Sequence, residues 1–183
     1  MQSFNLNTAL LTTFNAKDTE IWGNQLDLLF VPTARDRFNL SVGYLHAEYQ
    51  EFMVPPGVNI GMDQRNFAGY TLQYAPEWTV SAGYQHDFSV GEGYLRARVE
   101  TRYESSFWGT FMHSRGTEQG DYTKSDASLT YYAYDDRWSL GLWVRNIEDE
   151  AVLAATTTGQ YGPYADAFLE PPRTWGARFT FRL

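Results

Sequence analysis

The sequence predicts an all-β protein: an antiparallel up-and-down transmembrane β-barrel of about eight strands. Three observations carry this prediction. The last ten residues alternate strictly: Trp175, Ala177, Phe179, Phe181 and Leu183 fall on one strand face, and Thr174, Gly176, Arg178, Thr180 and Arg182 on the other. The same two-residue period recurs along the whole chain. The connections between the periodic stretches alternate short and long, so one rim collects tight turns and the other collects loops.

In chain order, Phe4, Leu6, Thr8 and Leu10 outline a weak first strand, closed by the polar turn Asn15-Ala16-Lys17-Asp18. Trp22 to Phe30 places Leu26, Leu28 and Phe30 opposite Gly23, Gln25 and Asp27. A proline-marked turn at 32–36 leads to Phe38, Leu40, Val42 and Tyr44, opposed by Asn39, Ser41 and Gly43. A long irregular stretch follows, roughly 51–70, with Pro55-Pro56-Gly57 inside it. Trp78, Val80, Ala82, Tyr84 and Phe88 then alternate with Thr79, Ser81, Gly83, Gln85 and Asp87, up to a tight turn at 89–93.

The fifth strand sets Leu95, Ala97, Val99 and Tyr103 against Arg96, Arg98, Glu100 and Arg102. After a polar loop at 105–122, Ala127, Leu129, Tyr131 and Ala133 oppose Asp126, Ser128, Thr130 and Tyr132. Asp135-Asp136 turns the chain into Trp138, Leu140, Leu142 and Val144, opposed by Ser139, Gly141, Trp143 and Arg145. The longest loop, 146–172, precedes the final strand.

Composition narrows the function classes. No apolar run reaches the length of a membrane-spanning helix. A mean hydropathy of -0.45 combined with 17% aromatic residues suits strands that are half polar, with aromatic girdles at both interfaces, and suits equally a soluble β-sandwich rich in binding aromatics. Trp22, Trp78, Tyr103, Trp138 and Trp175 sit at strand ends, where such girdles lie. The chain has no cysteine, so thiol chemistry and thiolate metal sites are excluded, and a net charge of -8 argues against nucleic-acid binding. Periodicity alone leaves open a soluble lipocalin-like barrel, whose apolar face turns inward instead of outward. Met1-Gln2-Ser3-Phe4 reads as strand with no basic-apolar-small leader before it. An exported protein needs such a leader, so a mature form or a fragment is expected.

Several phrases carry a family resemblance. They are Tyr74-Ala75-Pro76-Glu77-Trp78-Thr79, the run from Asp121 to Tyr131, Trp138 to Glu150 with its Val144-Arg145-Asn146-Ile147-Glu148-Asp149-Glu150 end, and Phe168 to Gly176. Ile21-Trp22-Gly23 followed by Pro32-Thr33 adds an earlier hairpin. Together and in this order they resemble the C-terminal barrel portion of TonB-dependent outer-membrane receptors.

That resemblance implies a Gram-negative outer-membrane location, surrounding lipid and a larger barrel of about 22 strands with a plug inside. It also implies uptake of a scarce solute: a ferric siderophore, a cobalamin-like cofactor or a glycan. Residues 1–183 would be the last third of such a barrel, with the plug and the remaining strands absent. TonB would then be reached only through the missing plug, and this chain alone would not be transport-competent. The family ends on an aromatic that resembles a signal for the outer-membrane assembly machinery. This chain ends on Leu183, which would weaken that signal. The alternative is a free-standing eight-stranded outer-membrane barrel with a structural, adhesive or binding role.

Arg96, Arg98, Glu100, Arg102, Arg145, Arg178 and Arg182 are the candidate lumen-lining residues, read either as a solute path or as the paired charges any wet lumen takes. Tyr161, Tyr164 and Phe168 are the candidate loop residues for stacking on a ligand from outside, or for packing loop on loop. His46, His86 and His113 stand singly, without metal-ligand spacing. Met53, Met62 and Met112 read as adaptable loop packing before soft-metal ligands. No nucleophile context is present, so no enzyme, cofactor or catalytic residue is expected.

Overall fold

A computed structural model describes residues 2–5, 10–13, 15–58, 60, 62–158 and 165–182. In chain order the strands are β1 Gln2–Asn5, β2 Leu10–Thr13, β3 Asp18–Thr33, β4 Asp36–Glu51, β5 Trp78–Val90, β6 Gly93–Glu104, β7 Phe107–Trp108, β8 Glu118–Gln119, β9 Tyr122–Tyr132, β10 Trp138–Arg145, β11 Leu153–Thr158, β12 Ala165–Leu169 and β13 Thr174–Phe181. Seven of them form one sheet in the order β13-β10-β9-β6-β5-β4-β3. Every neighbour is antiparallel and follows chain order, the meander that the alternation predicts. The remaining six pair off as β1-β2, β7-β8 and β11-β12.

The strand expected at Phe4–Leu10 is corrected. Its ends fall on two different strands, β1 and β2, which pair with each other in a hairpin and do not join the main sheet. Residues 6–9 and Leu183 lie outside the described residues. The expected strands of β3 and β4 are also longer than the alternation showed, at 16 residues each. They carry the sheet past the apolar band with polar residues such as Glu20, Glu48 and Gln50.

Register sorts the side chains into two surfaces. Leu28↔Leu40↔Ala82↔Thr101 and Phe30↔Phe38↔Tyr84↔Val99 are rows of the apolar surface. Ser81↔Arg102↔Lys124 and Gly83↔Glu100↔Asp126 are rows of the polar one. The apolar surface is uncovered: Leu26 is 62% exposed, Phe179 66% and Trp175 80%. A lipocalin-like barrel would bury that face, so the inward-facing alternative fails.

Aromatics bound the apolar surface at two heights. Near the loop rim, the Trp22 and Tyr44 rings lie 5.4 Å apart and Tyr44 and Trp78 4.8 Å. Near the turn rim, Phe30–Phe38 and Phe38–Tyr84 meet at 6.2 and 4.3 Å, and Tyr131–Trp138 and Trp138–Phe179 at 5.4 and 6.3 Å. Trp22 and Phe30 are eight positions apart on β3, so the belts are separated by roughly 27 Å along the strand and about 20 Å across a bilayer once strand tilt is applied. That matches the apolar band of a membrane barrel.

The buried core sits in the loops. Tyr49, Phe52, Val54, Val58, Phe67 and Met112 form one cluster, with Met62, Tyr70 and Phe111 packed against it. Phe52 and Phe67 are fully enclosed, each worth about 2–3 kcal/mol of apolar burial. The long connections are therefore folded parts of the protein.

Candidate functional site

The polar surface is a wall of mostly paired charges. Arg96 grips Asp87 on the neighbouring strand with two hydrogen bonds, Nε at 2.8 Å and Nη2 at 2.7 Å. Its guanidinium also lies 5.4 Å from the stacked rings of Tyr94 and Tyr132. Arg98 pairs with Glu100 at 2.5 Å. Arg102 pairs with Glu104, a buried carboxylate that also accepts the Tyr122 hydroxyl proton at 2.8 Å. Lys124 pairs with Glu170 from the last long loop.

Alternation explains why the strand partners meet: Arg98 with Glu100 and Arg102 with Glu104 are two residues apart on one face of β6, whereas Glu170 comes from a loop. Opposed residues on adjacent strands stand close enough for ion pairs, and Asp87 lies directly across from Arg96.

Above this wall the three long loops join into a canopy. Tyr74 N–H donates to the Trp108 carbonyl at 2.8 Å, and the Tyr74 hydroxyl accepts from Thr156 N–H at 2.8 Å. Leu153 N–H donates to Gln119 Oε1 at 2.8 Å. His113 lies between the Tyr70 and Trp108 rings, at 4.7 and 4.6 Å, with Nε2 3.0 Å from the Thr71 carbonyl. Burial holds its pKa below the ordinary histidine value, against the opposing pull of that carbonyl and of Glu118.

Asn146 ends β10 with a left-handed φ of 54°. Its side-chain amide donates to the Glu150 carbonyl at 2.9 Å and accepts from the Glu150 N–H at 2.9 Å, so this loop leaves the rim in one fixed direction.

Beneath the canopy opens a cleft of about 690 Å3, whose lining includes Gln25, Tyr44, Tyr74, Arg102, Glu104 and Glu170. A second recess of about 470 Å3 lies farther along the polar surface, among Arg98, Glu100, Asp126, Trp143, Arg145 and Arg178. Both are mixed-charge surfaces suited to a polar solute or a polar protein neighbour.

The structure distributes the sequence candidates unevenly. Arg98, Glu100, Arg145 and Arg178 share the recess, and Arg102 reaches the cleft. Arg96 sits apart, engaged by Asp87. Arg182 follows the end of β13, where its N–H donates to the Arg137 carbonyl at 2.8 Å, so it belongs to the turn rim. Phe168 is exposed on β12, outside the cleft lining, and Tyr161 and Tyr164 fall outside the described residues.

Sequence reasoning missed Glu104, Tyr122, Lys124, Glu170 and Tyr74. Glu104 continues the parity of Arg98, Glu100 and Arg102, and Tyr122 and Lys124 continue that of Asp126. Extending the alternation by a few residues finds these three. Glu170 and Tyr74 arrive from loops and leave no periodic signal.

Met112 is buried and Met62 packs against its cluster, as the packing reading expects, whereas Met53 is exposed and outside it. Among the described residues no group of three or more acidic or histidine side chains is placed to hold a metal, and no helix is long and apolar enough to cross a membrane.

A two-faced meander with aromatic belts outside, paired charges inside and loops gathered on one rim is the wall of a membrane-spanning β-barrel. The family described as TonB dependent receptor-like, beta-barrel matches residues 2–147, and the chain belongs to it. That is a family of receptor barrels and not of enzymes.

Three solved structures share the fold. The ferric yersiniabactin uptake receptor FyuA from Yersinia pestis aligns with a TM-score of 0.71 at 15% identity, over 88% of this chain and 23% of that one. The siderophore receptor PiuA from Acinetobacter baumannii aligns at 0.69 and 16% identity, over 88% and 21%. BauA, the ferric preacinetobactin receptor from the same organism, aligns at 0.66 and 17% identity, over 98% and 25%. The chain thus spans between a fifth and a quarter of each of these receptors. No curated protein matches it.

Proposed function

We propose that this chain is part of the barrel wall, the C-terminal part, of an outer-membrane receptor for TonB-dependent uptake of a scarce solute. The solute is a siderophore, a cobalamin-like cofactor or a glycan. The observation that carries this reading is the canopy-covered, mixed-charge cleft on the polar face of a wall whose other face is built for lipid. The solved neighbours, two named for ferric complexes and one for a siderophore, support a siderophore first.

In this reading the wall orients and lines, and does no chemistry. Cations already neutralised by carboxylates hold a wet surface without trapping an anionic solute. The canopy loops, tied to one another, give the outer mouth a fixed shape.

Energised transport needs a plug that touches TonB, so the wall alone does not transport. Residues 1–183 are read as barrel throughout, with no plug among them. The free-standing barrel is the weaker reading. β3 and β13, the two edges of the seven-stranded sheet, both run from the loop rim to the turn rim, and an antiparallel barrel closes only when its edges are antiparallel.

The test is expression of this chain, alone and together with a plug and complementary strands, in a receptor-deficient strain. Accumulation of radiolabelled ferric siderophore should need the additional parts and TonB. Uptake by this chain alone would refute the reading.

A further inference from the structure

We infer that the recess on the polar face of β9, β10 and β13 binds one small organic monocarboxylate, held by Arg178 and Arg145 beside the Trp143 indole. It rests on the receptor reading above and names the charge of the solute that the wall would meet. Register builds the recess from two neighbouring rows. In one, Arg98, Ser128, Trp143 and Gly176 are successive cross-strand partners, and in the next Thr130, Gly141 and Arg178 are. Gly141 stands between Thr130 and Arg178, so a gap one side chain wide separates a hydroxyl from a guanidinium. The hydroxyl leans into that gap: a Cβ on Gly141 would come within 2.8 Å of Thr130 Oγ1. The space so framed is about 470 Å3.

Charge selects the ligand. Arg96, Arg98 and Arg102 are each held by a carboxylate, from Asp87, Glu100 and Glu104 in turn. Among the described residues no carboxylate pairs with Arg145 or Arg178, and Arg145 lies instead over the Trp143 ring at 5.5 Å. Three arginines (98, 145 and 178) and two carboxylates (Glu100 and Asp126) line the recess, an excess of one positive charge. Asp126 is already engaged, its Oδ1 accepting from Asn146 N–H at 2.9 Å. The Ser128 and Thr130 hydroxyls make no hydrogen bond among the described residues and remain available as donors.

One carboxylate cancels the excess, accepts from a guanidinium fork and takes a hydroxyl proton, while its carbon skeleton meets the indole. A phosphate dianion would exceed that charge beside Glu100 and Asp126, and a neutral solute would leave it unanswered.

The test is a fluorine NMR titration of 4-fluorobenzoate into the full chain in mild detergent. The neutral and doubly charged counterparts are 4-fluorobenzamide and 4-fluorophenyl phosphate. The expected result is saturable binding of the carboxylate at one site per chain, about tenfold tighter than either counterpart. Arg178→Gln, which removes the charge, and Gly141→Ala, which fills the gap, should each weaken it about tenfold. Asp126→Asn keeps an acceptor for Asn146 N–H and removes a repelling charge, so it should tighten binding about threefold, which loss of structure would not do. Arg137→Gln, at the turn rim, should leave it unchanged. The Arg178 and Asp126 variants keep the test decisive if Gly141→Ala does not fold.

Equal binding of the three probes, preference for the phosphate, or binding unaltered by Arg178→Gln would overturn the site and leave the receptor reading to the uptake test above. Exclusion of the carboxylate once the chain is complemented with a plug and the remaining strands would make the recess a contact between wall and plug, and would equally overturn the solute site. Selective carboxylate binding by a chain recovered in the soluble fraction would keep the site and overturn the membrane reading.

Discussion

At Gly176 a single missing methyl group decides how the last two strands meet. The Trp143 indole lies over this glycine, and a Cβ there would come within 2.7 Å of the ring. The two residues are cross-strand partners on the polar face, and the Arg145 guanidinium sits 5.5 Å from the same indole. Gly176→Val should therefore force the indole aside and destabilise the chain by about 1–3 kcal/mol. The check is the urea midpoint of tryptophan fluorescence in detergent, where an unchanged midpoint would show that Trp143 has a second comfortable rotamer.

Asn146 makes a complementary case, because its role joins conformation and hydrogen bonding. Asn146→Gly keeps the left-handed backbone and loses the two bonds to Glu150, costing about 1–3 kcal/mol. Asn146→Ala loses both and adds roughly 1 kcal/mol of backbone strain. Alanine should be the worse substitution by hydrogen exchange at the start of the 146–152 segment. The opposite order would make the left-handed backbone at this position irrelevant.

Among the elements, the loop canopy behaves as a small folded unit beside the sheet. Phe67→Ala should open a cavity costing about 3–5 kcal/mol locally. Hydrogen exchange should then speed up across residues 49–72 and 107–119 while the paired amides of β5 and β6 keep their protection. Uniform acceleration would mean that canopy and sheet fold as one.

The canopy should also loosen in acid. The His113 pKa is lower folded than unfolded, so between those values the unfolded state binds more protons and stability falls as pH drops. The contribution is complete above the ordinary histidine value of about 6.5 and is lost as pH falls through that value toward the folded one. Tyr70, Trp108, Thr71 and Glu118 surround the ring, and Glu118 is the carboxylate that opposes the effect. Faster canopy exchange at pH 5 than at pH 7.5, abolished in His113→Gln, is the expected outcome.

These elements also mark what the sequence alone makes legible. Leu26-Asp27-Leu28 and Arg96-Ala97-Arg98-Val99 announce their faces, because a strand between lipid and water must alternate. Strand ends do not: Asp18 to Glu20 are solvated on both faces, and at the end of β4 Tyr49 turns into the loop core between Glu48 and the exposed Gln50, so no lipid-facing alternation marks them. Phe52, Phe67 and Met112 come from two loops and meet by an irregular path without period. Glu170 reaches Lys124 across 46 positions of sequence, which no local pattern foretells.

For the molecule as a whole, strand parity governs what it can become. Seven antiparallel strands leave β3 and β13 pointing the same way, each with one row of backbone donors and acceptors that no described strand satisfies. Closing these two edges on each other would make a parallel seam in an antiparallel barrel. Only an odd number of added strands joins them in the alternating sense, as the larger even-stranded receptor barrels allow. In detergent, unpaired edges of this length associate with other chains.

The purified chain alone should therefore sediment as a mixture of oligomers, with fast exchange on the outward amides of β3 and β13. The absence of native cysteine makes the geometry directly readable. A chain carrying both Asp27→Cys and Arg178→Cys should crosslink mainly between molecules. A sharp monomer with protected edge amides and an intramolecular crosslink would instead describe a small barrel that closes on itself, and would remove the parity argument for a larger receptor wall.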